Sequence, residues 1–145
     1  MWVVLKGVSA HYPQVALALL LLDPQERILL QGNSKTRTWQ LLELEYYEAA
    51  NLTSAANLAL QRDCQVSFDC QGLVGIYTTS QRNADGLLCQ RLLIALYGSV
   101  DSKAAAVLDV FGRTFFSTRE IPSVAGRVHL EILTDFLAGR SGVVK

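Results

Sequence analysis

A chain of 145 residues fits one ordinary domain and can bury roughly 70% of its unfolded surface without staples. Half of it is hydrophobic and 18% charged, with thirteen basic residues against thirteen acidic ones. A neutral chain without a Lys/Arg cluster lacks the footprint of a nucleic-acid binder, so no nucleic-acid partner is expected.

Residues 15–22 are a continuous apolar run, which predicts a strand buried on both faces. The run is far below the roughly 20 residues that cross a bilayer, so no membrane partner is expected. Asp23, Pro24, Gln25 and Glu26 supply turn chemistry, and residues 27–31 return as the second arm of a hairpin. A polar loop over 32–37 ends at Trp39, and residues 40–50 are acidic and aromatic with little period. Thr53 and Ser54 offer an N-cap, and Leu52, Ala56, Leu60 and Cys64 recur at helical spacing, predicting a short helix over 53–63.

Residues 65–68 and 72–79 read as strand segments, 81–86 as a turn and 87–100 as a further strand, so the pair forms a longer hairpin. Residues 101–106 read as a connector and 113–116 as a short strand. Ser117 to Glu120 has the pattern of a capping box opening a short helix. Val128, Ile132, Leu133 and Phe136 then define a terminal amphipathic helix closing on Gly139. No linker or repeat interrupts the order, so residues 1–145 are expected to form a single domain.

Cys64, Cys70 and Cys89 are odd in number and fit no Cys/His zinc spacing, which reads as reduced thiols in a cytoplasmic protein. A mean hydropathy of +0.24 suggests more apolar surface than one core needs, which predicts a protein partner or a homodimer.

Trp39, followed by the Leu58-Ala59-Leu60-Gln61-Arg62-Asp63 helix, and Phe115-Phe116-Ser117-Thr118-Arg119-Glu120-Ile121-Pro122 near the tail, carry a family likeness. In order and spacing the chain resembles the Nudix hydrolases, whose box reads G-x5-E-x7-R-E-U-x-E-E-x-G-U with U aliphatic. The resemblance implies an α/β fold, an α/β/α sandwich around a central mixed sheet. Aligned on Trp39, the box has Leu44 for its first Gly, Ala50 for its first Glu, Leu58 for Arg and Ala59 for the first helical Glu. Arg62 and Asp63 stand for the Glu pair and Gln65 for the closing Gly, while Leu60 and Val66 keep the aliphatic positions. In the family these glutamates hold Mg²⁺ or Mn²⁺ against a diphosphate, and Mg²⁺ wants octahedral oxygen ligands. Ala59 and Leu58 offer no oxygen, and the Arg62 guanidinium repels a dication. No cofactor is therefore expected.

The expected function is that of a catalytically degenerate Nudix-fold protein that binds a protein partner, itself or an uncleaved nucleotide-like ligand. Candidate ligand contacts are Trp39 and Tyr77, for stacking on a base, and Arg62, for a phosphate held without metal. Core aromatics and an exposed helix arginine explain the same residues, as exposed positions do for Arg37, Arg82 and Arg91. The alternative is a metal-dependent pyrophosphohydrolase with a relocated site, built from Glu43, Glu45, Glu48 and Asp63. A solvated acidic loop is the simpler explanation of those carboxylates. His11 and His129 lie far apart, and no nucleophile elbow accompanies them.

Overall fold

The computed structural model describes residues 14–82, 84–110 and 112–145. Gln14–Leu22 forms β1, and its alternation serves two cores at once. Leu17, Leu19 and Leu21 point to one side of the sheet, Ala18 and Leu20 to the other, and all five are fully buried. The turn into β2 (Ile28–Asn33) is closed by buried Asp23, whose carboxylate accepts from the Gln25 and Arg27 N–H groups and from Arg27 Nε. β3 (Thr38–Glu45) pairs antiparallel with both β1 and β2. Glu43 and Glu45 therefore lie on a strand and not in the loop expected from their composition.

Helix α1 spans Leu52–Cys64. Its N-cap is Asn51, two residues ahead of the expected Thr53, and Asn51 Oδ1 accepts from the Ser54 N–H at 2.9 Å. A long antiparallel hairpin follows, β4 (Asp69–Arg82) and β5 (Leu88–Ser99), as the turn signal predicts. The expected strand over 65–68 is not strand but chain outside the sheet, leading from α1 into β4. The expected connector is largely helix: Asp101 caps α2 (Ser102–Leu108) by accepting from the Ala104 N–H at 2.7 Å, and an alanine run propagates it. β6 (Arg113–Phe116) pairs with β2. The segment from Ser117 to Glu120 is only a turn, since Pro122 lies too close for a helix to propagate. After α3 (Arg127–Leu137), Gly139 takes φ 74° in the expected C-terminal role. A two-residue strand, β7 (Val143–Val144), then pairs with β4, which the sequence does not announce.

The seven strands order as β6-β2-β3-β1-β5-β4-β7 in one mixed sheet, with β1 and β5 parallel. One core packs α1 and α2 against the sheet through Ala56, Ala59, Leu60 and Leu108. The other packs α3 against the opposite face through Ile132 and Leu133. The architecture is the expected α/β/α sandwich. Among the described residues no helix is long and apolar enough to cross a membrane.

Gln65 ends α1 in the left-handed region, φ 57° and ψ 32°, with its N–H donating to the Gln61 carbonyl. This is the position of the box's closing Gly, so the backbone turn persists while the residue best suited to it is gone. Gln65→Gly should stabilise the fold by about 1 kcal/mol by removing the Cβ penalty. Chemical denaturation of the two proteins, compared by midpoint, checks it.

Candidate functional site

The side chains most plainly organised for chemistry lie where the end of β3 meets the starts of β1 and β5. Glu43 is bound on both sides: Arg91 Nη2 donates to Oε1, and His129 Nε2 lies 2.8 Å from Oε2. The other imidazole nitrogen, Nδ1, accepts from the Leu41 N–H at 3.1 Å. An Nδ1 that accepts leaves Nε2 to carry the proton, so a neutral imidazole donates to Glu43.

Strand register explains the grouping. Glu43 and Arg91 flank β1, which places Ala16 and Ala18 between them on the same face. Side chains that small let a glutamate and an arginine span the intervening strand. His129 reaches Glu43 from α3, so the cluster belongs to the α3 face.

Burial pushes the His129 pKa below the usual 6.5, and the Arg91 guanidinium adds to the shift. A folded-state value below the unfolded one means that this residue's contribution is full above 6.5 and declines as pH falls through that value. Protonation would also place a proton on Nδ1 against the Leu41 N–H. The unfolding midpoint should therefore decrease between about pH 7 and about pH 5, and His129→Gln should flatten that decrease. Midpoints of both proteins across the range measure it.

Beside this cluster a cavity of about 510 Å³ is lined by Gln14, Glu43, Glu45, Tyr46 and Arg91. Arg91 and Glu43 keep 17% and 27% of their side chains exposed, enough to meet a ligand.

The other expected contacts are scattered. Trp39 lies on the α3 face at the far end of β3, edge-on to Phe116 with centroids 4.8 Å apart. Tyr77 is fully buried, and its hydroxyl donates to Asp135 Oδ2 at 2.8 Å, so it offers no ring to a base. Burial first, and then the Asp135 contact, hold its pKa far above the ordinary phenol value. Arg62 is on α1, across the sheet from Trp39 and Tyr77, with its guanidinium 4.5 Å from the Tyr47 ring centroid. Arg82 closes the β4–β5 turn on the Gly86 carbonyl. His11 lies outside the described residues.

Glu43, Glu45, Glu48 and Asp63, the carboxylates of the alternative metal site, are not gathered into one cluster among the described residues. Glu43 is held by Arg91 and His129 on the α3 face, Glu45 accepts from the Tyr47 hydroxyl, and Asp63 is exposed on α1 against the other face. Among the described residues no three His, Cys, Asp or Glu side chains gather as metal ligands. Ala59 is fully buried in the α1-side core, and Arg62 stacks on Tyr47 where a carboxylate would be needed. The sequence missed the Glu43–Arg91–His129 grouping because its members meet only through strand register and the docking of α3.

No family sequence model and no curated protein matches the chain. Solved structures do. A mutT/nudix family protein from Listeria innocua superposes with TM-score 0.63 at 16% identity, covering 88% of this chain and 94% of that one. A MutT protein from Methanosarcina mazei Go1 gives 0.62 at 11%, covering 92% and 100%. The NUDIX domain of Shewanella oneidensis NrtR, complexed with ADP ribose, gives 0.60 at 13%, covering 92% and 91%. The fold is that of the Nudix proteins.

Proposed function

We propose that this chain is a Nudix-fold binding module that holds a nucleotide-like ligand without cleaving it. The observation that carries the reading is the state of α1. At the helical positions where the box has glutamates, the chain presents buried Ala59, the Tyr47-stacked Arg62 and a lone exposed Asp63. A dication asks for several oxygen ligands at close range, and this face supplies one carboxylate beside a guanidinium.

The cavity at Arg91 is the site proposed for the ligand. Arg91 offers planar donors to a phosphate oxygen, Glu43 and Glu45 accept from ribose hydroxyls, and Tyr46 adds a ring at the rim. A NUDIX domain seen with ADP ribose is among the structural neighbours, which makes that compound the first to try.

The test is a thermal shift with ADP ribose, with Mg²⁺ and again with EDTA. A ligand that binds only the folded state raises the midpoint. The reading expects the same rise in both conditions and its loss in Arg91→Ala. A rise that requires Mg²⁺, or one that Arg91→Ala leaves untouched, would overturn it.

A further inference from the structure

A second cavity, of about 450 Å³, lies on the β2–β3 hairpin at the opposite end of β3 from Glu43 and Glu45. Trp39 is one wall. Its six-membered ring lies over Gly32 of the paired strand, so closely that a Cβ there would come within 3.2 Å. Phe116 packs against the indole with the ring planes 76° apart, and the Trp39 backbone is held by its N–H donating to the Ser123 carbonyl and its carbonyl accepting from the Ala125 N–H at 2.8 Å. An indole fixed this firmly gives up little freedom when another ring stacks on it.

Arg37, Asn33 and Ser34 line the same cavity. Arg37 sits at φ 55° in a turn closed by its own N–H on the Asn33 carbonyl at 2.8 Å, so the backbone fixes where its side chain begins. Among the described residues no carboxylate pairs with its guanidinium. Packing of an aromatic over a strand glycine accounts for Trp39 against Gly32. It leaves unexplained an arginine without a counter-charge in the same hollow.

We infer that this hairpin cavity binds a planar heteroaromatic ring bearing a phosphate, the ring stacked on Trp39 and the phosphate held by Arg37 with no metal between them. The chemistry is that of base stacking joined to guanidinium capture of an oxyanion. The site shares no residue with the Arg91 cavity, so either assignment can fail alone.

Trp39 itself reports on the site. With Trp2, the other tryptophan of the sequence, changed by Trp2→Phe, AMP in EDTA should quench the remaining emission saturably. Adenosine and inorganic phosphate should each bind at least about tenfold more weakly, because each supplies one contact of the two. Arg37→Ala, at an exposed position, should weaken AMP binding by about tenfold or more, while Arg119→Ala, also exposed and outside both cavities, leaves it unchanged. No saturable change through millimolar AMP in a folded protein would overturn the assignment. So would equal affinity for inorganic phosphate, or indifference to Arg37→Ala.

Discussion

Asp135→Ala should destabilise the protein by about 3 kcal/mol, through loss of one buried carboxylate that serves three donors. Asp135 is fully buried on α3 and accepts from the Tyr77 hydroxyl at 2.8 Å, from Arg140 Nη1 at 2.7 Å and from Lys145 Nζ. Those partners come from β4 and from the segment that carries β7, so one side chain ties α3 to both. Arg140 and Lys145 are 58% and 43% exposed and can turn to water, which limits what their ion pairs contribute. Tyr77 cannot turn away, and its hydroxyl would be left buried without a partner. Burial alone would raise the Asp135 pKa, but Arg140, Tyr77 and Lys145 outweigh it and hold the carboxyl below the usual range. A depressed folded-state value means the contribution is full above the ordinary carboxylate pKa and is lost as pH falls through the folded one. Asp135→Ala should therefore cost most near neutral pH and progressively less in acid. Denaturation midpoints at the two extremes check it, and an equal loss at both would contradict the assigned role.

Ala59→Glu restores the box's first helical glutamate in name and should cost about 4 kcal/mol or more. Ala59 has no exposed surface and packs in the same core as Leu17, Leu42 and Leu60. A glutamate there must desolvate its carboxylate and displace leucines, and the guanidiniums on that face are already engaged, Arg62 on the Tyr47 ring and Arg113 on the Leu108 carbonyl and Cys64 Sγ. For a domain this size the unfolding midpoint should fall by about 10 °C or more. Leu58→Glu, one residue away but 42% exposed, should stay within about 0.5 kcal/mol of the parent. A tolerated Ala59→Glu would mean that this face of α1 opens to solvent, and the case against a metal would weaken with it.

Elements whose register is written in local pattern were legible in the sequence. The run from Val15 to Leu22 reads as a strand buried on both faces, and the spacing of Val128, Ile132, Leu133 and Phe136 as a helix edge, and both form. The left-handed cap at Gln65 escaped that reading, since no glycine marks it and residues 65–68 pass for strand. What failed did so for local reasons. Asp101 and the alanines after it were read as connector because a short helix that buries only Leu108 has no apolar period to show. Ser117 to Glu120 imitates a cap without a helix behind it. Glu43 was assigned to a loop because charge in a strand looks like loop composition, whereas its charge is met by Arg91 and His129. That meeting depends on β1 and β5 running parallel and on where α3 docks, neither of which a linear reading contains. Stacking residues suffered likewise: Tyr77 resembles a free ring in sequence, and only the sandwich buries it against Asp135.

The central claim is that α1 cannot hold a dication where it carries Ala59, Arg62 and Asp63. Its most direct test is product release by the purified chain from nucleoside diphosphate derivatives in Mg²⁺ or Mn²⁺, followed chromatographically beside an Asp63→Ala variant. The account predicts no release above the uncatalysed background from either protein. Turnover by the parent that disappears in Asp63→Ala would contradict it.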